Sequence, residues 1–197
     1  AVFFGESAKR MKFLEDAIHE THEESRRLRL KKHCQTRWVE QADALAIFTE
    51  LYDSVLQALE LITQSCDGNT SSSASVLLTA ITQFAFLAAL SSAEFVLNYT
   101  KPLSVLLQKS GLDLCVALRE VTIIQETLND VRLSADERFA DVYANIVRLG
   151  TVAGIEPSTP RVCGKQTHRS NVPARTAESY YRTSVFLPFV DCMIQGS

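Results

Sequence analysis

The chain has 197 residues, of which 46% are hydrophobic and 22% charged, and a formal net charge of −3. That length supports one domain, or one domain plus the edge of another, with enough chain to bury a substantial core. The slightly acidic balance excludes a global basic field that would draw the molecule onto nucleic acid, so any such contact must come from local clusters. The five cysteines, Cys34, Cys66, Cys115, Cys163 and Cys192, are odd in number and form no C-x-x-C pair. A disulfide framework is therefore not expected, and a reducing compartment fits better. Cys163 and His168 have a spacing found in some metal sites, but the second ligand pair is missing and no metal site is expected. No signal-peptide pattern follows Ala1, and the start at Ala1 in place of Met is what a fragment would show.

In chain order, Ser7 to Lys32 is highly charged and reads as helix, with Met11, Leu14 and Ile18 forming a narrow apolar stripe. Arg26, Arg27, Arg29, Lys31, Lys32 and His33 form a basic run. Thr36 is placed to cap a new helix with Trp38 in its first turn. Leu45, Phe48, Tyr52, Val55, Leu59 and Ile62 follow helical steps on one face, and predict a single long helix. Gly68, Asn69 and the run Ser71-Ser72-Ser73 predict a polar loop. Val76 to Ala93 carries no charge and just reaches the length of a membrane-span candidate. Its interior Thr, Gln and Ser residues and its lack of flanking cations point instead to a helix buried on all sides.

Pro102 predicts a break, as does Gly111. Leu114, Leu118, Val121, Ile124 and Leu128 predict another helix. Ser134-Ala135-Asp136-Glu137 has the pattern of a capping box, followed by a helix through Phe139, Tyr143, Ile146 and Val147 to a stop at Gly150. Gly154 to Ala174 reads as an extended proline-containing loop, and Thr176 to Gln195 as helix with a kink or break at Pro188. Strand signals are poor, the best being Leu28-Arg29-Leu30 and Val185-Phe186-Leu187.

Several stretches resemble those of hAT-transposase-derived proteins, a group that includes the zinc-finger MYM-type proteins. They are Phe3-Phe4-Gly5-Glu6-Ser7-Ala8-Lys9-Arg10, His33-Cys34-Gln35-Thr36-Arg37-Trp38-Val39-Glu40 and Tyr99-Thr100-Lys101-Pro102-Leu103 with Leu112-Asp113-Leu114. Pro160-Arg161-Val162, Arg169-Ser170-Asn171-Val172-Pro173-Ala174, Tyr180-Tyr181-Arg182 and Phe186-Leu187-Pro188-Phe189-Val190-Asp191 continue the likeness in the same order. Departures are Gln41-Ala42-Asp43, where the group more often has Arg-His-Asp, and Cys192, where it often has His.

The resemblance implies a mainly α chain, the helical insertion of an RNase H-like catalytic core, with at most minor strand content. It implies residues 1–35 at the edge of that core, 36–150 as an all-helical insertion and 151–175 as a basic loop. Residues 176–197 would be a helix leading back toward the core and a C-terminal dimerisation region outside this chain. It also implies a nuclear, DNA-binding parent that forms a homo-oligomer through that outside region, with no membrane contact.

In active members three carboxylates hold two metal ions, which clamp the attacking and leaving oxygens of a phosphodiester. No acid in this chain matches those carboxylates. No catalytic residue, metal ligand or cofactor is therefore expected within it, and a divalent metal such as Mg belongs to an active parent.

For DNA contact, the resemblance singles out Trp38, whose indole could stack on a flipped base, with Arg37 beside it. Arg161, Lys165, Arg169 and Arg175 form a second basic group, in a stretch without acids between Glu156 and Glu178, and suit phosphate. The bland readings are a core tryptophan and a solvated surface balanced by neighbouring acids. A different function class stays open beside DNA binding, a protein-interaction scaffold within a transcriptional regulator.

Overall fold

The computed structural model describes residues 1–22, 29–31, 38–108, 113–161 and 173–196, and among them the chain is mainly α-helical with no strand. The weak strand signal at 185–187 falls in helical backbone, and of Leu28-Arg29-Leu30 the described pair is not strand. The Thr36 cap lies outside the described residues.

A short helix α1 (Val2–Gly5) leads into α2 (Ala8–Thr21). Ser7 caps α2 by accepting from the Arg10 backbone N–H at 3.5 Å, and satisfies one of the helix's orphan donors. The stripe expected from periodicity is present, with Leu14, Ala17 and Ile18 buried. They face α4 (Tyr52–Ser65).

The long helix expected across Leu45 to Ile62 is two. Helix α3 (Trp38–Glu50) ends at Leu51, whose φ of −98° and ψ of 18° leave the helical range before α4 begins. The break lets the two halves serve different neighbours: α3 packs on α6 (Phe84–Leu107), and α4 packs on α2 and α5 (Gly68–Ile81). One straight rod could not present a single apolar stripe to both.

The polar stretch at Gly68 to Ser73 is also helix, not loop. Asp67 caps α5 by accepting from the Thr70 N–H at 3.0 Å, and Ser71 Oγ donates to the Thr63 carbonyl of α4 at 2.6 Å. A cap and a cross-helix bond outweigh the weak helix propensity of serine and glycine.

The uncharged run Val76 to Ala93 is likewise not one buried helix. It divides at Thr82–Gln83 between α5 and α6, with a bend of 69°. Its first part is amphipathic: Ile81 is buried, whereas Val76 is 69% exposed. Among the described residues no single helix is long and apolar enough to cross a membrane, and only this bent pair passes on length and composition.

Helix α6 is the centre of the second layer. It runs through Pro102, where a break was expected. Pro102 and Asn98, the residue whose carbonyl loses its partner, are both exposed, so water can satisfy that carbonyl. Helices α3, α7 (Leu114–Leu133), α8 (Ala135–Val152) and the C-terminal segment all pack on α6.

At the α7–α8 junction the capping box does not form. Ser134 donates its hydroxyl back to the Asp130 carbonyl at 2.7 Å, and its backbone is not extended. A single residue joins the two helices, leaving no room for the extended cap conformation. Helix α8 runs two residues past Gly150. The chain then reverses at Gly154, whose φ of 67° lies in the left-handed region. Gly150 permits that reversal from inside: an added Cβ would stand 3.1 Å from the Ile155 carbonyl oxygen.

After the basic loop come α9 (Ala177–Tyr181), a π-helical turn (Arg182–Phe186) and α10 (Leu187–Gly196). Pro188 opposes the carbonyl of Ser184, and the chain answers with a widened turn in place of a break. The Leu187 N–H reaches back five residues to the Arg182 carbonyl.

Candidate nucleic-acid interface

Of the residues singled out for DNA contact, Trp38 opens α3, and Arg161 and Arg175 are exposed in non-helical backbone. Arg37, Lys165 and Arg169 lie outside the described residues. The two ends of the basic loop are nonetheless held together. Tyr181, at the end of α9, donates its hydroxyl to the Ser158 carbonyl at 2.9 Å, three residues before Arg161. Thr176, one residue after Arg175, caps α9 by accepting from the Ser179 N–H at 3.1 Å. Both flanking arginines therefore leave the helical body beside α9.

The earlier basic run behaves differently. Arg29 donates to Glu15 of α2 at 3.3 Å. Lys31 donates to Asp43 of α3 at 2.8 Å, and Lys101 of α6 reaches the other oxygen of the same carboxylate at 2.7 Å. Asp43 thus sits between two ammonium groups. The Lys101 hydrogen bond, followed by that from Lys31, holds its carboxyl below the usual value. Arg29 and Lys31 are the run's described cations, and both pair with neighbouring acids.

Where the stretches that carried the resemblance are described, they hold braces between helices. Phe4 is buried, and Arg10 stacks over the Phe3 ring at 4.4 Å while pairing with Glu6 at 3.5 Å. Asp43 and Lys101 tie the stretch after Trp38 to the one before Pro102. Tyr181 and Phe186 are fully buried against Phe84, Phe95 and Phe139. Arg182 pairs with Asp136, and Asp191 with Arg132, closing the C-terminal segment onto α8 and α7.

Sequence reasoning quoted Asp43 and Lys101 but did not couple them. They lie 58 positions apart, and only the packing of α3 on α6 joins them. It placed Tyr52 on the apolar face but missed its polar link: the hydroxyl donates to the Ile81 carbonyl at 2.9 Å, and burial pushes its pKa up to about 12. Among the described residues, no group of three or more His, Cys, Asp or Glu is placed to hold a metal ion.

No family model matches the chain. It is similar to the 52 kDa repressor of the inhibitor of the protein kinase of Homo sapiens, 28% identical over 177 residues covering 84% of this chain. The Mus musculus protein of the same description is 27% identical over 181 residues, covering 87%. The chain spans 22% and 23% of the length of these curated relatives. No solved structure matches. The chain is thus a low-identity homologue of one segment of these repressors, built of helices.

Proposed function

We propose that this chain is the helical framework of a hAT transposase-derived regulator that works in the nucleus, and that it cuts no DNA by itself. The observation that carries this reading is the similarity to one segment of two proteins described as repressors, along almost the whole chain. The described parts of the family-like stretches brace helix against helix, as a framework requires. In this reading the framework is the insertion of an RNase H-like core, and oligomerisation and any Mg-dependent chemistry belong to the rest of the parent. The loop from Arg161 to Arg175 then holds DNA by its phosphates, with Arg37 and Trp38 as a second contact.

The test is duplex binding by the purified chain across a salt series. Replacing Arg161, Lys165, Arg169 and Arg175 together by alanine should weaken binding equally for unrelated sequences and flatten the dependence on salt. An unchanged salt slope with a lowered melting temperature would reject the phosphate role and make the loop a structural tie. Incubation of a labelled duplex with the chain and Mg should leave it intact; cleavage abolished by mutating one of the chain's own acids would overturn the reading.

A second reading, a protein-interaction scaffold without DNA contact, is favoured by the pairing of Arg29 and Lys31 and by the apolar side chains that α7 exposes. Leu114 and Leu118, one turn apart on the same side of α7, are 72% and 59% exposed. Isolated exposed leucines are ordinary, but two neighbouring ones offer an apolar spot of the kind that partners cover. Absence of duplex binding even at low salt, with the fold intact, would select this reading.

A further inference from the structure

Thr159 stands directly before Pro160, and this is the one place in the sequence where a serine or threonine precedes any of the five prolines. The backbone from Ile155 to Arg161 is neither helix nor strand, and Pro157, Ser158, Thr159 and Arg161 are all exposed. Proline also steers the residue before it away from helix toward extended backbone. Other exposed threonines are presented differently. Thr79, Thr122 and Thr151 sit inside helices, and each donates its hydroxyl to the carbonyl four residues back, at 2.8–3.0 Å. Thr159 lies in no such frame. Its stretch is moored to the helical body one residue earlier, where the Ser158 carbonyl accepts from Tyr181 at 2.9 Å.

We propose that Thr159 is a phosphorylation site for a proline-directed serine/threonine kinase, and that its phosphate loosens the basic loop from DNA. An acceptor for such an enzyme must lie open in extended chain, followed by a ring that brings no backbone N–H. Thr159-Pro160 meets each condition without any helix unwinding. In the transfer, Thr159 Oγ1 bonds to the γ-phosphorus of ATP, and the bond from that phosphorus to the β,γ-bridging oxygen breaks. ADP leaves, and the hydroxyl proton passes to the kinase's catalytic carboxylate. The phosphate brings a charge of about −1.5 to −2 at neutral pH. Arg161 is two residues on, a span of at most about 7 Å. That is inside the screening length of about 8 Å at physiological salt, so the new charge acts on Arg161 directly. With Glu156 three residues before Thr159, it turns this end of the loop acidic. The effect on DNA rests on the phosphate-holding role proposed for the loop; the modification itself does not.

The experiment treats the whole chain with a purified mitogen-activated protein kinase and MgATP. Mass spectrometry of the intact chain and of its peptides should find a single added phosphoryl group, on Thr159. Thr159→Val should abolish it. Pro160→Ala should slow it roughly tenfold or more, the usual effect of one apolar group in a specificity pocket, and leave the melting curve unchanged. The phosphorylated chain should bind duplex more weakly than the unmodified chain, with a salt slope smaller by about one to two, as that many phosphate contacts are lost. Kinase-treated Thr159→Val should keep the slope of the unmodified chain. A Thr159 left unmodified, or phosphate carried only on other serines and threonines, would overturn the site. An unchanged slope for the fully phosphorylated chain would overturn its effect on DNA. If the unmodified chain binds no duplex, the DNA reading fails and the effect on DNA with it, while the mass measurement still decides the site.

Discussion

The layer of α2, α4 and α5 and the layer built on α6 share one continuous core but are held in different ways. The first is aliphatic, through Leu14, Ile18, Val55, Leu59 and Ile62, and is stitched by short polar links. Thr21 and Ser54 share a hydrogen bond of 2.5 Å, His22 lies 2.9 Å from Asp53, and Gln57 donates to Glu20 at 2.7 Å. The second is aromatic. Phe84, Phe95, Phe139, Tyr143, Tyr181 and Phe186 touch in a chain of ring contacts 5.2–6.2 Å apart, rimmed by ion pairs.

The difference lies in the side chains each layer packs. Aliphatic residues of α2 and α4 bury modest area each, and the polar links between these helices join residues 31 to 37 positions apart. Around α6 and the C-terminal segment, large rings supply more buried area per ordered side chain.

The comparison is most exposed to a test at Phe186, which is fully buried between Phe95 and Phe139. Phe186→Ala should cost about 3–5 kcal/mol in urea unfolding. A cost below about 1 kcal/mol, the range of a single polar link, would erase the distinction between the layers.

Tyr52 sharpens it from the other side, since a ring there carries a polar link. Its folded pKa of about 12 lies above the ordinary value of 10.0. The phenol therefore ionises first in the unfolded chain, and stability should fall as pH rises from 10 toward 12, by up to about 3 kcal/mol. Tyr52→Phe should cost about 1 kcal/mol at neutral pH and lack that alkaline loss. Parallel curves for the two proteins above pH 10 would contradict the assignment.

Asp43→Asn should cost on the order of 1–2 kcal/mol, between an exposed and a buried pair, because its side chain is 30% exposed. The Asp43 carboxyl is held below its ordinary value, so its contribution is full above about pH 4 and fades as pH falls further. Wild type and variant should therefore converge in acid, as followed by circular dichroism melts. The smallest stability effect belongs to the four loop cations. Their joint replacement by alanine should leave urea unfolding within about 0.5 kcal/mol, as surface changes usually do, while altering the salt dependence of DNA binding.

Much of this was legible in one dimension. The apolar period marked the helical stretches in which α2, α7 and α8 form, and ran α3 and α4 together as one, because a helix facing one core must repeat its contacts every third or fourth residue. The helix class also needed no coordinates.

What only tertiary structure decided is where periodicity is interrupted or supplemented. The break at Leu51 lies inside an unbroken apolar pattern and exists because α3 and α4 face different partners. The serine run is helical because Asp67 and Thr63 accept its hydrogen bonds, and Val76 is exposed because α5 buries only one face. Lys31, Asp43 and Lys101 meet because α3 lies on α6. Each depends on groups distant in the chain, whose energy is set by separation in space. Local pattern fixes which face of a helix is apolar; the partner that covers it is chosen only when the whole chain packs.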